Sequence, residues 1–235
     1  MKTITLLTLS SILLMSACQA TNISVNSNSN ITIPEDTTQL IKVTTKGWNT
    51  KDGILQRYEK DKKGEWIKVG EPINVVLGRN GLGWGLGLNT IPKGAKYIKK
   101  EGDGRSPAGL FRLGNGFGYQ EFKINFPYEK YNKNDLCVDD SKSKFYNTII
   151  DKTKVKKDYN SFEHMKLKNN LYKYGITVQH NPNNIPQSGS CIFIHIKSPS
   201  GKGTAGCTAM RESKIIKILK WLDVKKNPLL LQLPK

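Results

Sequence analysis

Four cysteines and three histidines hold the residue types best suited to chemistry in this sequence. Cys207 stands in Gly203-Thr204-Ala205-Gly206-Cys207-Thr208-Ala209-Met210, where small residues leave the sulfur open and let a ligand approach the backbone. An apolar-periodic segment begins just downstream, near Arg211, and its predicted helix N-terminus would favour a Cys207 thiolate. A thiol nucleophile also needs a base. His195 ends the run Cys191-Ile192-Phe193-Ile194-His195, whose alternation sets 191, 193 and 195 on one strand face, and Cys207 follows twelve positions later. That interval fits a strand end, a Gly/Ser/Pro loop and a return, so a Cys-His pair is geometrically easy; a structural imidazole satisfied by its neighbours fits the same spacing. His180, beside Asn181 in a predicted loop mouth, reads as a substrate contact or a surface residue, and His164 as a surface residue. Cys137 and Cys191 lie in apolar settings and read as buried or bridged positions.

Short β-branched or aromatic segments separated by Gly or Lys-Gly must carry these residues: 40–44, 54–58, 65–69 and 73–77, with a hairpin turn at Asp61-Lys62-Lys63-Gly64. Further strands are expected at 175–180, 191–196 and 229–233. Twelve of the 21 glycines fall between Gly78 and Gly118, a stretch better suited to loops and close backbone approaches than to helix. Helices are expected at 143–150, at 162–171 and, most strongly, at 212–223, where Ile215, Ile216, Leu219 and Leu222 share a face. The class is therefore mainly β with a few helices (α+β), in one domain over residues 39–235. No His/Cys spacing suits zinc, and no cofactor is expected.

The N-terminus reads as an address. Met1-Lys2-Thr3, an apolar stretch from Ile4 to Met15 and the small residues Ser16-Ala17 before Cys18 form an exported-protein signal over residues 1–17. Leu14-Met15-Ser16-Ala17-Cys18 resembles a bacterial lipobox, which would make Cys18 the lipid-bearing first residue; plain cleavage near Ala20 is the alternative. Residues 18–38, rich in Asn, Ser and Thr, read as a flexible tether. The 37 Lys and Arg against 19 Asp and Glu give a formal net charge of +18, which suits nucleic acid, anionic lipid or an anionic wall polymer. Only Arg57, Arg79, Arg105, Arg112 and Arg211 are arginines, and export removes nucleic acid as a natural partner, leaving the wall or the envelope space beside it. Most of the lysines read as a solvated surface.

The motifs also carry a family resemblance. Ser188-Gly189-Ser190-Cys191-Ile192-Phe193-Ile194-His195-Ile196, followed by Thr204-Ala205-Gly206-Cys207-Thr208-Ala209-Met210, resembles the L,D-transpeptidase catalytic domain of the YkuD type, in a branch with GSCIF-x-H and TAGCT-x-M motifs. Gly78 to Gly85, Glu101 to Gly109, Cys137-Val138-Asp139-Asp140 and Gln179-His180-Asn181 resemble the same branch, so the likeness spans roughly residues 40 to 235. It implies a mainly β sandwich or barrel acting on peptidoglycan stem peptides, with Cys207 as nucleophile, His195 as proton acceptor and donor, and the backbone N–H groups of Gly206 and Cys207 for the oxyanion. Two positions depart from the common pattern: Ala205 where many members have His, and Ala209 where many have Arg. Candidate substrate-binding residues are His180, Asn181, Ser190, Arg79 and Arg105; a structural ion pair of Arg105 with Asp103 or Asp140 is the alternative for that guanidinium. A bridge between Cys137 and Cys191 would leave Cys207 free, the alternative being two separate buried thiols. The implied activity is L,D-transpeptidation, with L,D-carboxypeptidation, a catalytically silent wall-binding lipoprotein and a thiol peptidase as rivals. The implied location is the periplasm or cell envelope, membrane-anchored through Cys18.

Overall fold

A computed structural model of the chain describes residues 31–235. The expected signal and Cys18 lie outside the described residues. The last residues of the expected tether are docked: Ile31 and Ile33 pack on the core, and the Thr38 N–H donates to Lys226 O at 2.9 Å.

The strands in chain order are β1 (Gln39–Thr45), β2 (Asp52–Lys60), β3 (Trp66–Val76), β4 (Leu82–Trp84), β5 (Ser106–Gly118), β6 (Tyr128–Lys130), β7 (Asp135–Val138), β8 (Ile149–Asp151), β9 (Phe162–His164), β10 (Tyr174–Val178), β11 (Phe193–Ile196), β12 (Thr208–Met210) and β13 (Leu229–Pro234), with one α-helix among the described residues, α1 (Glu212–Trp221), and a short 3-10 turn at Val224–Lys226 before β13. The main sheet runs β10-β11-β12-β3-β2-β1-β13-β5-β4, and β10 pairs again with β5, so the path returns on itself in a barrel-like closure. The pair β1 and β13 is parallel, in register Leu40↔Leu229 to Thr45↔Pro234. The apolar run of β13 and the Leu40, Ile41 and Val43 of β1 fit a strand pair covered on both faces, and Leu40, Ile41, Val43, Leu230 and Leu231 are buried. Each such side chain contributes roughly 2 kcal/mol of burial. Helix α1 lays Ile215, Ile218 and Leu219 against β10 and β11, the strand that carries His195.

Four local expectations differ from the structure. The segment 143–150 is a set of turns leading into β8, and 162–171 opens with β9, because β7 recruits both as antiparallel partners. The resulting sheet, in order β8-β7-β9, forms a flap that buries Leu136, Val138 and Tyr159. The glycine-rich stretch is only half loop: β5, 13 residues long, passes through it to pair with both β13 and β10. Glycines are needed there because neighbours occupy the Cβ space; the Thr177 side chain, for example, fills that of Gly114 on β5. The two strands expected at 65–69 and 73–77 are one, β3, which passes through Gly70 at φ +65. The turn at 61–64 forms as expected, with Asp61 Oδ1 accepting from the N–H groups of Lys63 and Glu65.

Candidate active site

Parallel pairing of β11 with β12, Ile194↔Thr208, His195↔Ala209 and Ile196↔Met210, fixes the geometry around Cys207. The same register puts Cys207 opposite Phe193, so the Cys207 and His195 side chains rise from one face, one pleat repeat or about 7 Å apart along the strands. The Phe193 N–H donates to Cys207 Sγ at 3.3 Å, and the thiol faces Cys191 O at 3.6 Å. His195 Nδ1 lies 2.8 Å from Ile196 O, where it donates as N–H, so the tautomer leaves Nε2 as the acceptor. Among the described residues Nε2 has no hydrogen-bond partner, and Cys207 and His195 do not bond each other directly.

Behind Cys207 a polar frame fixes the turn. Cys207 O accepts from Ser106 Oγ at 3.0 Å and Thr204 Oγ1 at 2.6 Å, and Ser106 Oγ in turn accepts from the Gly78 N–H at 2.8 Å. Thr208 Oγ1 donates to Gln232 Oε1, and Gln232 Nε2 to Pro107 O, both at 2.8 Å, so the buried Gln232 ties β12 to β5 through β13. Neither hydroxyl nor amide belongs to an obvious catalytic pattern, but a Ser opening a strand and a Gln inside Leu229-Leu230-Leu231-Gln232-Leu233 are the polar anomalies that mark them. Ser106→Ala strands the buried Gly78 N–H and frees one side of the Cys207 carbonyl; a loss of about 1–3 kcal/mol is expected in urea unfolding, with Ser106→Thr closer to the parent.

A disulfide joins Cys137 on β7 to Cys191 just before β11, at a Cα–Cα distance of 6.0 Å, and leaves Cys207 as the free cysteine among the described residues. The bridge staples the flap to the start of β11. Asn147 reinforces it: Oδ1 accepts from the Cys191 N–H at 3.0 Å, and Nδ2 donates to His180 O and Asn181 O. A cleft of about 490 Å³ opens on the outer side of this staple, lined by Tyr131, Thr177, Asn184 and Ile192 as well as the two bridged cysteines. Cys207 does not line that cleft, although Cys191 and Phe193, which contact its sulfur, do.

A family model for the L,D-transpeptidase catalytic domain, YkuD, matches residues 48–230. The chain belongs to this family. No curated protein matches it closely enough to count as a relative. The matched range holds every candidate residue from Arg79 to Cys207, and the mainly β, closed sheet is the fold the motifs implied.

The L,D-transpeptidase candidates divide by what holds them. Arg105 is structural, and neither of the ion pairs weighed for it forms: Nη1 donates to Leu82 O at 2.8 Å, Nη2 donates to Asn49 Oδ1 at 3.0 Å, and the guanidinium lies over Tyr97 at 4.6 Å. Asp103 instead pairs with the buried Lys99 at 2.6 Å. Asn181 is fully buried; its amide donates to Ile185 O and Gly189 O and accepts from the Ile185 N–H, so it winds the 181–189 loop. His180 is buried as well, its Nε2 2.9 Å from Ser188 O. Ser190 Oγ donates to Glu101 Oε2 at 2.7 Å, and Tyr146 donates to the same oxygen. Arg79 is exposed beside the Cys207 loop, its N–H on Thr204 O. Sequence reasoning missed Lys99, Glu163 and Tyr172, which stand close to the thiol.

Electrostatics corrects the expected thiolate. Helix α1 begins at Glu212, beyond β12, too far to act on Cys207. Burial pushes the thiol up, the Glu163 carboxylate adds to this, and the Phe193 N–H and Lys99 oppose it. Burial drives both His195 and His180 down to about 4 from an ordinary 6.5. The resting pair is therefore a neutral thiol and a neutral imidazole. An imidazole depressed on folding is protonated more readily in the unfolded chain, so stability is full above pH 6.5 and falls as pH drops from there toward 4. Urea midpoints should decline steadily over that window; constant midpoints would contradict burial of the two rings.

Proposed function

We propose that the protein is an L,D-transpeptidase that remodels peptidoglycan through a Cys207 thioester, with His195 as proton acceptor and donor. The observation that carries the reading is the placement of the free Cys207 and a neutral His195 with an unused Nε2 on one face of adjacent parallel strands, within a domain of this family. The Cys207 S–H proton passes to His195 Nε2 as sulfur bonds to the stem-peptide carbonyl preceding the terminal D-residue. The Cys207 N–H, unpartnered among the described residues, takes the oxyanion, and the Gly206 N–H joins it by leaving Thr204 Oγ1, 3.2 Å away at rest. As the intermediate collapses, the C–N bond breaks and His195 returns its proton to the departing amine. An acceptor amine then attacks the thioester, its proton goes to His195, and sulfur leaves, taking that proton back from His195 to recover the thiol. Water as acceptor turns the same cycle into L,D-carboxypeptidation.

The same reading carries the remaining expectations: export by residues 1–17, lipidation at Cys18 and a working place in the cell envelope. Arg79, exposed beside the nucleophile loop and charged, is the arginine available to a substrate carboxylate. The test is incubation of the purified protein with tetrapeptide muropeptides, products being followed by mass spectrometry. Cross-linked or exchanged peptides support transpeptidation and shortened ones the water reaction. No product from the intact protein rejects the enzyme reading and favours a silent wall-binding lipoprotein.

A further inference from the structure

Tyr172, in the segment between β9 and β10, lies outside every motif that drew attention to the site, yet it touches both reactive side chains. Its ring meets His195 edge-on at 5.1 Å and Phe193 at 5.5 Å, and it shares the buried cluster of Cys207. Its hydroxyl donates to Glu163 Oε2 at 2.7 Å, and the side chain lies near enough to the Cys207 sulfur to favour its thiolate. A phenol has one proton to give, so it serves the carboxylate or the sulfur, never both at once. Glu163 has no cation partner among the described residues, and the acids Asp139 and Glu101 stand near it.

We propose that Tyr172 is a further catalytic residue, which turns its single hydroxyl proton from Glu163 Oε2 to Cys207 Sγ as the thiolate forms, and that Glu163 sets the resting position. The phenol O–H bond stays intact throughout; only its acceptor changes, while the thiol proton goes to His195 Nε2. The flap thereby acts on the nucleophile through one hydrogen bond, since Glu163 belongs to β9 and Tyr172 to the approach to β10. The other charged or titratable groups facing this trio are Lys99 from the loop after β4, His195 on β11, Tyr119 after β5, and Asp139 and Glu101 beside Glu163.

The two ends of the bond predict opposite effects, which a merely structural contact would not give. Alkylation of Cys207 by iodoacetamide is to be followed against pH in the full-length protein, by mass spectrometry of the Cys207 peptide. Tyr172→Phe keeps the ring and should slow alkylation near neutral pH by about tenfold, moving the profile upward. Glu163→Gln removes the competing charge and should speed it several-fold, moving the profile downward. In turnover, Tyr172→Phe should lower kcat by about tenfold with KM little changed. Opposed shifts support the inference; shifts of the same sign, or none, overturn it. If Tyr172→Phe fails to fold, 3-fluorotyrosine placed at 172, a stronger donor of nearly the same shape, decides: faster alkylation supports the inference and unchanged or slower alkylation overturns it. The mechanism rests on the proposed function only in its turnover arm, so missing muropeptide products would count against that function and leave the alkylation result to judge Tyr172.

Discussion

His195→Gln should lower kcat by about 10² to 10⁴ while leaving KM nearly unchanged, because it removes a proton acceptor and not a binding contact. The expectation follows from the state of the pair at rest. Burial and Glu163 push the Cys207 thiol up, so almost none of it is ionised at neutral pH, and attack requires a base at the moment of bond formation. His195 suits that task because burial holds it at about 4 and the Nδ1–H bond to Ile196 O keeps Nε2 free. Gln preserves a polar group of similar length on β11, and the disulfide and flap do not depend on the ring. Steady-state kinetics on muropeptides, with thermal melting as a control, checks this. A His195→Gln enzyme with parental kcat would mean that another base serves Cys207.

Replacing both Cys137 and Cys191 by Ser should destabilise the domain by about 4 kcal/mol, on the chain-entropy account of a bridge spanning 54 residues. The loss should appear as a large fall in urea midpoint, and activity should fall further than stability alone explains at temperatures where the domain remains folded. The reason is position: the bridge fixes β7 to the residue two places before β11, and β7 carries β9 with Glu163. Asn147 then still ties the flap to the segment before β11, through its bonds to Cys191 N–H and the carbonyls of 180 and 181, together with Tyr146 accepting from the Gly189 N–H and Tyr172 donating to Glu163. A double variant with the parental midpoint would show that the flap is held by its own packing.

Much of the fold and the centre of the site could be read directly. Alternation placed 193 and 195 on one face, from which Cys207 also rises opposite Phe193, whereas Cys191, expected on the same strand face, precedes β11 with φ +53. Local pattern failed where tertiary pairing overrides it: 143–150 and 162–171 have helix-like content but are drawn into turns and edge strands by β7, and β5 forms inside a glycine-rich stretch because its neighbours need the missing side chains. The same limit explains the missed residues. Tyr172 and Glu163 are nine residues apart along the chain and reach Cys207 only after the flap folds over the barrel, and Ser106 lies 101 residues from the carbonyl it holds. Arg105 and Asn181 were drawn toward substrate by residue type, but their donors are used on Leu82, Asn49, Ile185 and Gly189 within the protein. The charge of +18, prominent in the composition, supplies little of the candidate site: Lys99 is the cation next to Cys207.

The most direct test of the Cys207 thioester is to mix the protein with a tetrapeptide muropeptide, quench in acid within a turnover, and weigh the intact protein and its peptides. The predicted result is a mass increase equal to the acyl donor less its terminal D-residue, confined to the peptide containing Cys207 and absent from Cys207→Ala. An adduct on another residue, or product formed by Cys207→Ala at the parental rate, would contradict it.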